Sequence, residues 1–274
     1  MSASIVSATT VTYFSELELL RTLLNSLEVA SKQLYQKTGY SVHYYLVDNS
    51  EDEEYFKGLG RLCAQFGGTD SLQLSIIRAH LNLGYSGGNN LVLDQLASAY
   101  HLIINPDVVI QPDAFCCALD YLDEDKNVVM LSPKVIDHGR SSHVAKVYPD
   151  CLTLALRYLS LPSLNHYFSE RLSRYECDHL SDTADNSIEL AGGCFIVIRT
   201  EEFKQLRGFD DWFFMYFEDY DLSLRARKLG DIAYVPAVKI THAGGGVGRK
   251  NIRHHFYFAV SAIKFFSRYG WRFW

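Results

Sequence analysis

Hydrophobic and polar positions along the first half of the chain alternate between short β-branched runs and longer stretches with helical spacing. Runs typical of strands occur at 5–13, 43–47, 72–78, 101–105 and 128–132. Apolar residues at helical spacing fill the intervals, at 15–35, at 51–66, from about 90 to 100 and from about 112 to 122. This alternation predicts an α/β protein with a mainly parallel sheet flanked by helices.

The second half has a less regular pattern, above all over residues 133–188. Residues 151–168 have a helical pattern that Pro162 interrupts. Two further strands are expected at 188–199 and 232–236, with a short helix from residue 200 between them. We see no internal repeat that would indicate a solenoid.

The ends of three predicted helices carry local signals. Ser15 and Glu18 have the spacing of a capping box at the start of the first helix. A later helix begins at Glu218, and Gly230 is suited to its C-terminal end. Residues 252–269 place apolar side chains on one face and basic or polar ones on the other, which predicts an amphipathic C-terminal helix.

Composition is that of an ordinary globular protein, with 48% apolar and 21% charged residues. The six cysteines are scattered without a CxxC pair, which favours reduced thiols in a cytoplasmic protein over a disulfide frame or a zinc site. No apolar run is long enough for a membrane span, and the first residues lack the basic leader of a signal peptide. The net charge is −6, yet no acidic residue follows Asp231, so the basic tail favours an anionic partner.

Polar residues gather where three predicted strands end. Asp48 follows the second strand, the loop NLGYSGGNN spans 82–90, and Asn105-Pro106-Asp107 follows the fourth strand. Since ligands of open α/β sheets bind at the carboxyl ends of the strands, we expect these three segments to converge.

Two of these segments have both a functional and a structural interpretation. Asp107 could hold a hard divalent cation, which prefers oxygen ligands, but Asn-Pro-Asp is also a common turn sequence. The glycines of 82–90 permit close approach to a phosphate at a helix N-terminus, but they are equally compatible with a flexible turn.

The stretch FFMYFEDYD at 213–221 places three carboxylates beside several aromatic residues. In the first turn of a helix, Glu218, Asp219 and Asp221 would be stabilised by the helix dipole. A carboxylate desolvated by aromatics has a raised pKa, which suits a general base, so a catalytic role is the second interpretation.

His242 follows a predicted strand and precedes four glycines at 244, 245, 246 and 248. The histidine is either a structural residue or part of a site that the glycines cover as a lid. Arg249 and Lys250, at the end of this segment, are candidates to bind phosphate.

Taken in order, these pieces resemble the family-2 inverting glycosyltransferases of the GT-A (Rossmann-like) fold, especially bacterial rhamnosyltransferases. The matching segments are VTYFSELELLRTLLNSL, YLVDNS, NLGYSGGNN, LIINPDVVI, AGGCFIVIRTEEFKQLRGFDDWFFMYFEDYDLSLRARKLG and VPAVKITHAGG, which extend from about Val11 to Gly246. The resemblance implies a glycosyltransferase domain at 1–248, with a nucleotide-binding half at about 1–132 and an acceptor-binding half at about 133–248. A basic amphipathic helix at 249–274 follows it.

The resemblance also implies roles for individual residues. Asp219 would be the catalytic base and Glu218 would orient the acceptor, while Asp107 and His242 would hold Mg²⁺ or Mn²⁺ against the donor diphosphate. Asn105 stands at the first position of the family's DxD motif. The other implied donor-binding residues are Tyr13, Asp48, Asn82, Gly84, Asn89 and Arg249. Trp212, Phe213 and Phe214 would form an aromatic wall for the acceptor.

The implied reaction moves a sugar, by resemblance L-rhamnose from dTDP-rhamnose, to a glycan or lipid-linked saccharide acceptor in bacterial surface polysaccharide (lipopolysaccharide) synthesis. No nucleic-acid partner is expected. The alternatives are a family-2 transferase for another UDP- or dTDP-sugar, a sugar-nucleotide pyrophosphorylase, which should have a basic glycine-rich motif after the first strand, and a non-catalytic nucleotide-sugar binding protein. The basic tail helix either contacts the cytoplasmic face of the inner membrane or only packs on the domain.

Overall fold

A curled ten-stranded sheet forms the centre of the computed structural model, which describes residues 6–137, 140–159, 162–242 and 252–274. Its strands are β1 (Val6–Thr12), β2 (Val42–Asp48), β3 (Leu72–Arg78), β4 (Tyr100–Ile104), β5 (Val108–Ile110), β6 (Val128–Asp137), β7 (Arg140–His143), β8 (Asn186–Ser187), β9 (Phe195–Arg199) and β10 (Asp231–His242). The main order is β3-β2-β1-β4-β9-β6-β10-β5, with β7 paired to β6 and β8 paired to β10. The α/β class and the flanking helices are thus as the sequence predicts.

The direction of the strands differs between the two sides of this sheet. The pairs β3–β2, β2–β1 and β1–β4 are parallel. Beyond β4, the strand β9 runs antiparallel to both β4 and β6, and β5 runs antiparallel to β10. The sheet is therefore mixed: its first four strands, where helical crossovers connect successive strands, are parallel, and so are β6 and β10, while β9 and β5 run the other way.

Ten α-helices surround the described part of the sheet. They are α1 (Leu17–Thr38), α2 (Glu53–Cys63), α3 (Gly84–Asn90), α4 (Ala114–Glu124), α5 (Cys151–Leu159), α6 (Pro162–Tyr167), α7 (Ser169–Glu176), α8 (Thr200–Gln205), α9 (Glu218–Ala226) and α10 (Ile252–Tyr269). α1 follows its leucine pattern, because Leu20, Leu24 and Leu27 are fully buried against the sheet. No helix in these described ranges combines the length and apolarity needed to cross a bilayer.

Several residues that were predicted to cap helices have a different role in the structure. The capping box at Ser15 is wrong: α1 has Glu16 at its N-cap with no side-chain cap, and the Ser15 carbonyl accepts a hydrogen bond from the Tyr55 hydroxyl. Gly230 lies beyond the end of α9, and a Cβ there would meet the Asn127 carbonyl oxygen at 2.3 Å. Close backbone approach, rather than helix capping, therefore requires glycine at this position.

The strand predicted at 188–199 begins only at Phe195, because residues 190–194 form a loop between strands. Conversely, the strand predicted at 232–236 continues to His242 through a register shift between Val235 and Lys239. As a result, the loop before β9 and the C-terminal end of β10 both lie beside the β4–β5 turn.

Candidate active site

An imidazole and a carboxylate meet where β10 ends beside the β4–β5 turn. In the antiparallel pair of β10 and β5, His242 lies opposite Val108, which follows Asp107 directly. His242 Nε2 lies 3.2 Å from Asp107 Oδ1, and each side chain is about one-fifth exposed. Sheet pairing thus brings together two residues that are 135 positions apart, as the predicted metal site requires.

This pair is suited to a divalent cation. Although the two atoms are close, neither Asp107 Oδ1 nor His242 Nε2 has a hydrogen-bond partner among the described residues. A carboxylate oxygen and an imidazole nitrogen that lie this close can both be ligands of one cation. Carboxylate and imidazole suit Mn²⁺, and Mg²⁺ commonly takes one or two protein ligands and completes its shell with phosphate and water. Within the described ranges, no group of three or more His, Cys, Asp or Glu residues could hold a metal.

The carboxylates of Glu218 and Asp219 occupy the first turn of α9, as the sequence predicts. Asp219 Oδ2 accepts a hydrogen bond from the Gly193 amide and Asp219 Oδ1 accepts one from the Tyr220 amide, both at 2.9 Å. Burial raises the pKa of Asp219 to about 6, against the opposing effect of these hydrogen bonds. A carboxylate with that pKa is mostly ionised at neutral pH and is basic enough to accept a proton.

Glu218 is more deeply placed, with 6% of its surface exposed. Burial, and then the charge of Asp219, raise the pKa of Glu218 well above its ordinary value. Its Oε2 has no hydrogen-bond partner among the described residues. The two neighbouring carboxyl groups therefore differ: two backbone amides oppose the rise in the pKa of Asp219, whereas burial and the charge of Asp219 both raise the pKa of Glu218.

The loop at Gly193 and Cys194 joins the two clusters. The Asn105 amide donates to the Cys194 carbonyl at 2.8 Å, and the preceding residue, Gly193, donates to Asp219. Burial, together with the charges of Asp107 and Asp219, raises the pKa of the Cys194 thiol to about 12. Both carboxylates therefore act on the pKa of one thiol, and the loop at Gly193 and Cys194 contacts the metal-candidate side through Asn105 and the candidate base directly.

Sequence reasoning missed the residues that hold this centre together. The Tyr85 hydroxyl donates to the Gly193 carbonyl at 2.7 Å and so fixes the loop that holds Asp219. Lys146 is 8% exposed, pairs with Glu176 at 2.8 Å, and its charge lowers the pKa of Asp219. The pair of glycines before β9, in AGGCF, was the one local signal of close backbone approach at this point.

The proposed nucleotide side is more closed than predicted. Asp48 is fully buried, its Oδ1 accepts from the Ser50 amide at 2.8 Å, and its Oδ2 has no partner among the described residues. The exposed surface here belongs to Tyr13 and Phe14, which are 53% and 52% exposed. With the acidic residues 51 and 52 they line a cavity of about 380 Å³. Tyr13 is thus accessible to a ligand, whereas Asp48 lies beneath the surface.

The loop at 82–90 is shaped by its own polar residues. Asn82 Oδ1 accepts from the Gly84 amide at 2.9 Å, and Asn89 is fully buried and donates to the Tyr85 carbonyl. Gly84 has φ +72°, and a Cβ there would lie 2.2 Å from the Phe214 carbonyl oxygen. These residues seat the loop against the aromatic stretch, and their direct contact with a donor stays a prediction.

The predicted aromatic wall is wrong for Phe213. That ring is fully buried in a cluster with Phe217 and Phe265, so it offers no surface to an acceptor. Trp212 is 43% exposed, but Arg268 lies 4.6 Å above its ring, and Phe214 packs at 4.8 Å on Tyr257 of α10. The basic face of α10 therefore packs against the aromatic stretch. Arg249, Lys250 and the glycines that precede them lie outside the described residues.

Comparison with known proteins identifies the family to which the chain belongs. The sequence profile of the family described as glycosyltransferase like family 2 matches residues 8–256. The rhamnosyltransferase WbbL of Escherichia coli K12 is 22% identical over 211 residues, which is 73% of each chain. The N-acetylglucosaminyl-diphospho-decaprenol L-rhamnosyltransferase of Mycobacterium tuberculosis is 26% identical over 180 residues, which is 59% of this chain and 56% of that protein.

Solved structures share the fold. GalNAc-T7 with UDP, GalNAc and Mn²⁺ has a TM-score of 0.60 at 14% identity, over 88% of this chain and 44% of that one. The Pyrobaculum calidifontis mannosyltransferase PcManGT with GDP-Man and Mn²⁺ has a TM-score of 0.57 at 13% identity, over 90% of this chain and 59% of that one. The chain thus spans about half the length of several relatives. Both neighbours are glycosyltransferases of the GT-A fold, and because the family profile covers most of the sequence, the chain belongs to glycosyltransferase family 2 and is a glycosyltransferase.

Proposed function

We propose that this protein is a metal-dependent, inverting glycosyltransferase that uses a pyrimidine nucleotide-sugar, with dTDP-L-rhamnose as the first donor to test. The observation that carries the proposal is one site with two parts: Asp107 and His242 with unpartnered atoms 3.2 Å apart, and Asp219 with a pKa of about 6. The rhamnosyltransferase names of two relatives favour the sugar. In this proposal, residues 1–132 serve the nucleotide and 133–248 serve the acceptor.

The chain's own groups divide the chemistry between them. Asp219 takes the proton of an acceptor hydroxyl as that oxygen forms a bond to the anomeric carbon. The bond from that carbon to the diphosphate breaks on the opposite face, so one displacement inverts the anomeric centre. Glu218 orients the acceptor through a hydrogen bond, and Tyr85 holds the Gly193 loop that positions the base.

Asp107 and His242 would hold Mg²⁺ or Mn²⁺. When bound, such an ion supplies positive charge to the departing diphosphate and lowers the cost of its release. The buried Lys146 adds a protein cation near the same centre.

On the nucleotide side, Tyr13 would stack on the base, and the free Oδ2 of Asp48 would accept the imide N–H that uracil and thymine both carry. Contact with Asp48 requires the side chains above it to part, since Asp48 is fully buried. The acceptor class is a saccharide on a lipid diphosphate, as the name of the mycobacterial relative states for that protein. A peripheral contact with the inner face of the membrane, by the basic tail, would accompany that acceptor.

The direct test is isothermal titration of dTDP-rhamnose and a panel of UDP-sugars into the protein, with Mn²⁺ and with EDTA. We expect tight binding that needs Mn²⁺, and more than about a tenfold loss in Asp107→Ala and in His242→Ala, since even second-shell changes at metal sites cost roughly that much. The control is Asp94→Ala, an exposed residue outside the site. Equal donor affinity with and without metal, or in both site variants, would remove the metal from the proposal.

Assays of sugar transfer and of donor binding together distinguish the proposed transferase from a non-catalytic nucleotide-sugar binding protein. A non-catalytic nucleotide-sugar binder would show the metal-dependent titration yet neither transfer sugar nor hydrolyse the donor slowly in water.

A further inference from the structure

An apolar groove runs between α5 and α10. It has a volume of about 460 Å³, and scarcely any polar atoms line it. Its walls include Leu154, Leu159, Ile263 and Trp271. An open groove of this kind on a monomer is apolar surface that water solvates poorly, and such patches mark binding sites.

Small side chains keep the groove open. Ala155 of α5 and Ala259 of α10 are both exposed and both line it, so that the two helices do not close on each other there. Around it, Leu159, Ile263 and Trp271 are 57%, 55% and 48% exposed. The groove therefore has an accessible floor and an aromatic and aliphatic rim.

One end of the groove adjoins a cleft of about 420 Å³ whose lining is more polar than that of the groove. The two share four lining residues: Leu154, Tyr158, His255 and Phe258. The cleft adds Arg157, Glu176, Tyr216 and His254 to these. Polarity thus changes along one continuous depression, from imidazole and guanidinium groups at one end to hydrocarbon at the other.

The polar end adjoins the catalytic carboxylates. Tyr216 lines the cleft two residues before Glu218, and burial, with a smaller contribution from the Glu218 carboxyl, raises the pKa of the Tyr216 hydroxyl to about 12. The Arg157 guanidinium lies 5.3 Å above the ring of Tyr175, whose hydroxyl lies 2.7 Å from that of Tyr220, the neighbour of Asp219. A ligand in the cleft would therefore have its polar end within a few residues of the base.

The charges at that end favour an anion. Glu176 is shared between Arg157, at 2.7 Å, and Lys146, at 2.8 Å. Of these three charged groups Arg157 and Glu176 line the cleft, and the imidazoles of His254 and His255 line it beside them, so a guanidinium and two imidazoles lie at this end. This end of the depression is complementary to a phosphate or diphosphate.

We propose that the α5–α10 groove binds the hydrocarbon chain of the acceptor, with the acceptor's anionic phosphate at Arg157 and its saccharide directed toward Asp219. The proposal rests on the proposed function, because it assigns the acceptor of that reaction a place. A hydrocarbon fits where an extended peptide does not: a peptide backbone would leave its amides and carbonyls without partners along a wall with scarcely any polar atoms.

The test uses dodecyl phosphate, below its critical micelle concentration, as the probe in isothermal titration. Ala259→Trp fills the groove from an exposed position, and Ser267→Trp puts the same side chain on an exposed position of α10 that does not line the groove. We expect Ala259→Trp to weaken dodecyl phosphate by at least about tenfold and Ser267→Trp to change it by less than about twofold. Arg157→Gln should weaken the phosphate but leave the affinity for dodecyl maltoside unchanged.

The other outcomes would contradict either the groove as the binding site or the proposed function. Equal loss in the two tryptophan variants, or none in either, would overturn the groove as the chain-binding site. Binding of phosphatidylglycerol vesicles without binding of the monomeric probe would show a membrane surface as the occupant and would likewise overturn it. Mn²⁺-dependent titration of the nucleotide-sugar serves as the independent measurement: its failure in the wild type, with groove binding intact, contradicts the proposed function and not the groove.

Discussion

The N-terminal half (residues 6–132) and the described part of the C-terminal half (133–242) build their polar sites in opposite ways. In the N-terminal half, Asp48, Asn49 and Asn89 are buried at loop and strand ends, and each leaves one oxygen without a partner among the described residues. In the C-terminal half, Asp219 is held by an amide 26 positions away, and Asp221 by side chains 47 and 48 positions away. The first half thus buries acceptor oxygens that no described group satisfies, whereas the second pairs its carboxylates with amide, hydroxyl and guanidinium donors.

This contrast teaches where each kind of chemistry can be placed. Parallel strands bring the side chains at their carboxyl ends to one edge of the sheet, so a ligand-binding site there needs few further contacts. A base with a raised pKa requires burial from several directions, and that requires a packed tertiary environment.

The largest expected effect is on catalysis in the C-terminal half alone. Asp219→Asn removes the proton acceptor, and we expect kcat to fall by about 10²–10⁴-fold while donor affinity stays within about twofold. Steady-state transfer kinetics and donor titration measure the two quantities. Asp70→Asn, the same change at an exposed site in the loop before β3, is the control. Donor binding lost together with turnover would show that the two halves are not separable.

The second effect is on stability and again falls on the C-terminal half. Asp221 is fully buried and accepts hydrogen bonds from Arg225, Arg268 and Tyr269. Asp221→Asn leaves buried positive charge less well compensated, and we expect a loss of about 3–5 kcal/mol in the free energy of unfolding.

Urea unfolding measures that loss. The matched control in the other half is Asp120→Asn, which breaks an exposed pair with Lys37 and should change the free energy of unfolding far less. Similar losses in both variants would mean that the buried network does not hold α10 in place.

The smallest expected effect is the pH dependence of sugar transfer, which depends on the carboxylate of Asp219. Because burial raises the pKa of Asp219 to about 6, its basic form is lost as the pH falls through that value. We expect kcat/KM to be about tenfold lower at pH 5 than at pH 7. Saturating Mn²⁺, with donor titrations at both pH values, separates this loss from a loss of metal or donor binding. A flat profile between these pH values would contradict Asp219 as the base.

Much of the fold was predictable from local pattern. The strands at 72–78 and the helix at 252–269 have the predicted bounds, because alternation and helical periodicity report directly which face is buried. The capping box at Ser15 failed because its spacing alone does not decide where a helix begins: the Tyr55 hydroxyl engages the Ser15 carbonyl, and Glu16 is the N-cap.

The candidate site was predictable in its residue types but not in its walls. Asp107, His242 and Asp219 followed from motifs and lie around one thiol and one loop. Phe213 could not be told from Trp212 by sequence, since both are aromatic and adjacent, and only packing against Phe265 and Phe217 decides which ring is buried. Lys146 lies in no motif, and the glycine-rich segment that contains Tyr85 does not indicate its contact with Gly193, because both roles exist only across the fold.

The sequence by itself determined the strand-and-helix rhythm, the polar residues at strand ends and the acidic first turn of α9, since each depends on neighbours a few positions away. Tertiary structure alone decided that His242 meets Asp107, that Gly193 donates to Asp219, and that α10 lies on the aromatic stretch with an open groove beside α5. The physical reason is that burial, and with it the raised pKa of a carboxylate, depends on atoms from distant parts of the chain, which no local pattern records.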